Sequence, residues 1–300
     1  MDAKIQTLLA WYKKHQRDLP WRNNTDAYQI FISELMLQQT QVDRVIPLYQ
    51  AFLNRFPTWQ SLADAPTSDL IHSWAGLGYN RRVLYARESA RVVVATGVPT
   101  TETEWRTLKG VGPYMAAALT EFVNHRRALV IDTNVRRVIG RLYLNLPFPR
   151  PEDDRRILEI LERVTPMRGA HWNLPQALMD LGSSTCLART PICDRCPLQA
   201  SCSSRMLFSE IHLAQTLATK QPKKIRERIH GEKPFPDRIY RGRILALVRK
   251  HSRMRITALG ELIDPTFDRI ADADWIRAMT TRLVADGLLI MHEHDIITLP

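Results

Sequence analysis

Four cysteines sit in one stretch, spaced Cys186-x6-Cys193-x2-Cys196-x5-Cys202, and the chain has no others. Disulfides scattered through a secreted domain do not cluster this way, so a metal site is the natural reading. A structural zinc site pairs two short Cys-x-x-Cys knuckles, and only one such knuckle is present. Four thiolates in one loop can also hold a [4Fe–4S] cube, so the spacing alone leaves both metals open. Two carboxylates also stand out. Glu34 lies in Ser33-Glu34-Leu35-Met36-Leu37-Gln38-Gln39-Thr40-Gln41-Val42, and on a helix its neighbours at three and four are Ile30, Phe31, Leu37 and Gln38. A carboxyl on that mostly apolar face is driven toward its protonated form, as a general acid needs; a Glu turned to the rim gives the same pattern. Asp132 follows the apolar run Ala128-Leu129-Val130-Ile131 and precedes a helix expected over 135–144, where Asp is also a common cap. In Leu108-Lys109-Gly110-Val111-Gly112 two glycines allow a tight turn. Its backbone N–H groups, at the start of the next helix, could hold a phosphate without reading sequence. Alone, such a string is often only a turn.

The elements that must position these groups are mostly helical. Apolar residues recur at threes and fours in Ile5-Leu8-Leu9-Tyr12, Ile30-Phe31-Leu35 and Val45-Leu48-Tyr49-Phe52. Breakers such as Leu19-Pro20, Phe56-Pro57, Ala65-Pro66, Val98-Pro99 and Thr165-Pro166 separate them. The fold class expected is mainly α, with a domain over 1–205, a basic linker over 206–236 and a second domain over 237–300. In that second domain, helices are expected at 239–248, 256–263 and 273–285. Strands at 288–291 and 296–299 flank His292-Glu293-His294-Asp295. Three helices and a hairpin make a small winged-helix-like module, with a packing or protein-contact role favoured by its acidic third helix.

The net charge is +11 and the pI about 9.8, which points to a polyanionic partner, DNA or RNA by default. Residues 220–255 hold 13 Lys or Arg against three acidic residues, and 256–300 hold three against eight, so one connecting stretch carries nearly the whole excess. No run approaches the ~18 apolar residues of a membrane helix, and Met1-Asp2-Ala3-Lys4 leads into a helix rather than a signal peptide. A cytoplasmic monomer, held at the nucleoid through DNA and without membrane contact, is expected.

The cysteine pattern, with Pro191 and Pro197 inside it, resembles the [4Fe–4S] loop of the endonuclease III and adenine DNA glycosylase family. The likeness runs over about residues 5–205. It implies a helix-hairpin-helix glycosylase fold: a six-helix barrel over about 22–127, with the N-terminal helix and 128–205 forming the cluster subdomain. It also implies that Cys186, Cys193, Cys196 and Cys202 hold a [4Fe–4S] cluster, and that Lys109, Gly110, Val111 and Gly112 are the DNA-gripping hairpin. Val130-Ile131-Asp132-Thr133-Asn134-Val135 resembles the family's V-D-x-N-V and assigns the catalytic aspartate to Asp132. The string around Glu34 resembles that of the adenine-specific members and assigns the catalytic glutamate to it. Tyr114 and Asn134 would orient Glu34 and the attacking water. Leu19-Pro20-Trp21-Arg22 and the segment from Gln176 to Gly182 match adenine-pocket motifs, which puts Trp21, Arg22 and Gln176 at the base. Gly76-Leu77-Gly78-Tyr79 resembles the loop that probes the stack, so Gln39 with Leu77, Tyr79 and Asn80 would fill the gap, and Gln38 with Gln39 favours adenine.

The implied activity is base excision repair of duplex DNA carrying a mismatched or damaged base, with hydrolytic removal of adenine opposite 8-oxoguanine or G. Bifunctional relatives have a Schiff-base lysine where Tyr114 stands, so strand cleavage is not expected. A thymine or uracil mismatch glycosylase on the same scaffold, and a non-catalytic DNA-binding iron–sulfur protein, are the alternatives. Two departures bear on the opposite base. Asn80 replaces a Tyr that wedges beside 8-oxoguanine, and the tail lacks the family's strand-rich reader domain.

Overall fold

The computed structural model describes residues 2–22, 24–167, 169, 171–209 and 229–300. The expected linker therefore lies largely outside the described residues. The helices begin where local chemistry can satisfy their first amides. Asp2 Oδ1 accepts from the backbone N–H groups of Lys4 at 2.8 Å and Ile5 at 3.3 Å, opening Ala3–His15. Thr58 and Ser61 form a reciprocal capping box at Trp59–Ala63. Pro113, whose missing N–H costs nothing in a first turn, opens Pro113–Phe122 directly after Gly112. Arg81–Thr96 stops at Gly97, whose φ of 90° few other residues adopt.

The chain divides into two compact units. One gathers the chain up to Ile30, Pro99–Thr107, and the residues from Val111 through the cysteine loop. Its core is built from Ile5, Leu8 and Tyr12 of the first helix with Val135, Val138, Ile139 and Leu142 of Thr133–Tyr143, Ile157 and Leu161 of Asp154–Val164, and Leu174, Leu178 and Leu181 of Asn173–Ser184. These positions repeat at threes and fours, so each helix turns one apolar stripe inward. Gly182 lets two of those helices approach, because a Cβ there would lie 2.6 Å from Asn134 Cβ.

The other unit gathers Phe31–Val98, Leu108–Gly110 and the C-terminal residues. Phe31, Leu35, Phe52 and Trp74 are fully buried in it; the Phe52 and Trp74 rings meet edge-on at 5.7 Å. Its C-terminal part holds Asp237–His251, Leu259–Ile263 and Ala273–Ala285. A three-stranded antiparallel sheet completes it: β1 (Arg253–Arg255), β2 (Ile290–His292) and β3 (Ile296–Thr298), in the order β1-β3-β2. The expected hairpin is β2–β3. Strand β1 was not expected, since three residues reading Arg-Met-Arg are too short to show alternation. The class is mainly α, and among the described residues no helix is long and apolar enough to cross a membrane.

Candidate active site

Asp132 is the N-cap of Thr133–Tyr143. Its Oδ1 accepts from the backbone N–H groups of Asn134 at 2.8 Å and Val135 at 2.6 Å, and its Oδ2 accepts from Asn134 Nδ2 at 2.7 Å. The capping and chemical readings of Asp132 are thus compatible. The amides fix the carboxylate's orientation, while lone pairs remain on Oδ2. Asn134 is held in turn: its Oδ1 accepts from Arg137 Nη2 at 2.8 Å, and that nitrogen also donates to the Gly182 carbonyl at 2.6 Å. Tyr114 packs with Phe122, Ala128 and Met179 around Ala117, Ala118 and Val130, so it is anchored in this unit's interior as well as lying two residues beyond the hairpin.

Gln176 and Arg22 belong to a second group in the same unit. Tyr12 Oη donates to Gln176 Oε1 at 2.7 Å, which leaves the Nε2 hydrogens for other acceptors. One turn on, Asp180 is 1% exposed and takes a bidentate grip from Arg22, at 2.6 and 2.7 Å, and a bond from Arg17 Nε at 2.6 Å. Burial alone would raise the Asp180 carboxyl; the Arg22 hydrogen bonds and charge, helped by Arg17, outweigh it and hold it below its ordinary value. Trp21, next to Arg22 in the chain, is buried. The segment from Gln176 to Gly182 is therefore clamped by ion pairs that the pattern Gln-Ala-Leu-Met-Asp-Leu-Gly does not reveal.

In the other unit, Glu34 is buried, 7% exposed, on Ala27–Leu37. Just beyond that helix, Gln39 has φ 57°, and Tyr79 in the facing loop has φ 45°. Neither is glycine, so both conformations are strained, at roughly 1–3 kcal/mol each. One side chain holds them: Arg82, 6% exposed. Its Nη1 donates to the carbonyls of Leu35 (2.7 Å), Met36 (3.2 Å) and Gln38 (2.7 Å), and its Nη2 to those of Leu77 (3.2 Å) and Gly78 (3.1 Å). Burial pulls this guanidinium down to about 10, still cationic at neutral pH. Gln38, Gln39, Leu77, Tyr79 and Asn80 are thus brought together around an arginine that sequence reasoning missed, because Arg81-Arg82 reads as an exposed basic pair. In the hairpin, Gly110 has φ +82°, and a Cβ there would come within 3.2 Å of the Tyr85 ring. Lys109 pairs with Glu88 at 2.8 Å.

The four cysteine thiols are unpaired by disulfides and line one small cavity with Arg141, Thr185 and Pro191. Among the described residues, no three His, Cys, Asp or Glu side chains converge as ligands of a single ion. Arg141, 2% exposed, braces the loop: Nε donates to the Pro147 carbonyl at 2.8 Å, Nη2 to that of Ala188 at 2.8 Å, and Nη1 to that of Leu187 at 2.7 Å, with Cys186 Sγ at 3.3 Å. Burial pushes up the Cys193, Cys196 and Cys202 thiols, Cys196 to about 11, so a bound metal must displace their protons.

Residues 32–163 match the profile of the HhH-GPD superfamily of base excision DNA repair proteins. Over 200 residues the chain is 40% identical to the adenine DNA glycosylase of Mycobacterium tuberculosis, covering 64% of each protein. It is 37% identical over 221 residues to the human adenine DNA glycosylase, covering 69% of this chain and 40% of that one. The chain thus spans about two thirds, or less, of the length of these curated relatives. Among solved structures it is similar to a thermostable thymine-DNA glycosylase, with a TM-score of 0.60, 29% identity, and 67% of this chain and 94% of that one covered. A non-covalent endonuclease III–DNA complex, with a TM-score of 0.56 at 18% identity and 73% and 100% covered, shares the fold. The helical architecture, the hairpin and these matches agree on one likeness: through residues 32–163 the chain is similar to the HhH-GPD superfamily of base excision DNA repair proteins.

Proposed function

We propose that this protein is a monofunctional DNA glycosylase that hydrolyses the N-glycosidic bond of adenine mispaired with 8-oxoguanine or G, acting on nucleoid DNA in the cytoplasm. The observation that carries the chemistry is Asp132, a carboxylate fixed at a helix N-terminus by three hydrogen bonds, in a chain whose other assigned carboxyl, Glu34, is buried. Hydrolysis at a sugar needs that division: one carboxyl to deliver a proton and one carboxylate to face an oxocarbenium-like sugar. A base inside a duplex is out of reach, so the nucleotide is flipped out, and Gln39 with the Leu77–Asn80 loop fills the gap. Glu34 protonates adenine at N7 and weakens the glycosidic bond. Asp132 then stabilises the sugar cation, and Tyr114 and Asn134 order the water and the carboxyls. The adenine assignment is supported by the mycobacterial and human relatives and by the Gln38, Gln39 and Gln176 amides. Residues 1–205 are the catalytic domain in this reading, 206–236 the connection and 237–300 an accessory module.

The likeness to a thymine-DNA glycosylase structure favours one second reading, removal of thymine or uracil. Single-turnover base release from duplexes with A, T or U in mismatches decides between them. Release of A alone supports the proposal, release of T or U overturns the adenine assignment, and no release from any duplex ends the glycosylase reading.

Cys186, Cys193, Cys196 and Cys202 are proposed to hold a [4Fe–4S] cluster. The donor set fits: four thiols around one cavity, with a guanidinium beside Cys186 to offset thiolate charge. A bound cluster would rigidify the loop, which also carries Arg189 and Arg195 between its cysteines, two cations suited to phosphates. Purified protein is expected to be brown, with about four irons per chain, and Arg141→Met, which unbraces the loop, is expected to lower iron content. Stoichiometric zinc in place of iron would sink the cluster assignment.

Tyr114 limits the product. With no lysine there, no Schiff base forms, and the product is an intact abasic strand that breaks only in later alkali. Borohydride is expected to trap no wild-type protein on DNA, and efficient trapping would contradict the assignment.

A further inference from the structure

Within the unit that contains the C-terminal residues, an open cleft of about 940 Å3 runs between Gln39, the Gly76–Asn80 loop and the helix Asp237–His251. Among the described residues its walls carry Arg44, Arg81, Arg82, Arg238, Arg241 and Arg249, and a single carboxylate, Asp286. Several of these arginines, Arg238 among them, already have partners within the protein. Arg82 serves the carbonyls described above, and Arg249 Nη1 donates to the Ile71 carbonyl at 3.4 Å. The carboxylate is shared: Asp286 meets Arg81 at 3.2 Å and Arg241 at 3.7 Å. The Arg81 side chain is 53% exposed and that of Arg241 34%, and Arg44 makes no ion pair among the described residues. The cleft is therefore short of negative charge, and short on the face that carries the strained, gap-filling loop. A small-molecule pocket of this size is lined mostly by apolar groups, and this one is not. Guanidiniums along an open trough suit the regularly spaced charges of a polyanion.

We propose that the cleft binds the sugar–phosphate backbone of duplex DNA, with Arg81 from the barrel and Arg238 and Arg241 from the C-terminal module contacting phosphates, and with Asp286 as a resident counter-charge that an incoming phosphate displaces. The C-terminal module is then half of a DNA-gripping surface. Its acidic third helix does not oppose this, since Asp286, just past that helix, faces Arg81 and Arg241, while the first helix supplies the cations. The inference rests on the DNA-glycosylase reading only for the choice of DNA as the polyanion.

The test is fluorescence anisotropy of the full chain on a fully matched duplex across a salt series. Each phosphate contact contributes about 0.9 to the slope of log affinity against log salt. Arg238→Gln/Arg241→Gln is expected to flatten the slope by about 2 and to weaken binding roughly ten-fold or more at moderate salt. Arg238→Lys/Arg241→Lys keeps the charge and should restore most of the slope, which separates lost contacts from lost folding. Asp286→Asn is expected to tighten binding several-fold. An unchanged slope in the Gln variant, or weaker binding by Asp286→Asn, overturns the proposal. So does a wild-type site for dATP that the Gln variant loses while its duplex slope stays unchanged, because that marks a small-ligand pocket. Base release is measured separately on mismatched duplexes: a chain that releases no base yet shows the slope change refutes the glycosylase reading and leaves the cleft assignment standing.

Discussion

Glu34→Gln and Asp132→Asn are each expected to slow single-turnover base release by about a thousand-fold or more, with duplex binding retained. Proton delivery by a positioned acid accounts for about 10²–10⁴-fold, and loss of a carboxylate facing a sugar cation removes a charge interaction where it is largest. Both substitutions are close to isosteric, so the chemistry is separated from the fold. The separation is sharpest at Asp132, because Asn is as good a helix N-cap as Asp. The amide oxygen of the Asp132→Asn variant can still accept from the N–H groups of Asn134 and Val135, and only the bond from Asn134 Nδ2 is lost, so Thr133–Tyr143 should keep its cap and lose about 1 kcal/mol. A purely structural Asp132 predicts near wild-type release from this variant, and a purely structural Glu34 predicts the same of Glu34→Gln. Either result, measured under enzyme excess with adenine opposite 8-oxoguanine, would remove that residue from the mechanism.

Arg82→Met is expected to have the next largest effect, on stability and activity together. The guanidinium donates to five backbone carbonyls, three at and just beyond the C-terminal end of Ala27–Leu37 and two in the Gly76–Asn80 loop. A buried acceptor left without a donor costs about 1–3 kcal/mol, and after partial relaxation a total loss of about 3–5 kcal/mol is reasonable, the scale seen when one partner of a buried charged network is removed. The melting temperature should fall accordingly. The Gln39 and Tyr79 conformations, which need an outside constraint to persist, should relax, and base release should drop more than ten-fold even at temperatures where the variant is folded. Arg82→Lys keeps the charge without the planar fork and should recover only part of the loss. Wild-type melting and wild-type release in Arg82→Met would show that the two segments hold themselves.

How much was legible in the sequence differs between two kinds of residue. Groups that act through their own chemistry could be seen. The four cysteines are close along the chain, Glu34 interrupts an apolar helical face, and Asp132 stands at the step from an apolar run into a helix. Groups that act by holding others could not. Arg82, Arg137 and Arg141 read as ordinary basic residues on helices of a basic protein, yet each is turned inward to carbonyls 40 or more positions away in the chain. Asp180 lies between the apolar residues Leu178, Met179 and Leu181, a signal that could have been used: a carboxylate with 1% exposure requires cations, and Arg17 and Arg22 are the cations it finds.

The mainly helical class, the hairpin glycines and the cysteine loop were all written in the order of residues. Each depends on local periodicity, backbone freedom or ligand spacing, which a chain carries before it folds. Where charge ends up was settled by folding alone. The fold put the basic face of Asp237–His251 beside the Gly76–Asn80 loop and, among the described residues, set Asp286 alone as a carboxylate among six arginines of the cleft. It also made Arg82, which reads as a surface cation, the clasp between the end of Ala27–Leu37 and the Gly76–Asn80 loop. These outcomes depend on which long-range partner reaches a side chain after folding, because the energy of a charge is set by its surroundings in space rather than by its neighbours in sequence.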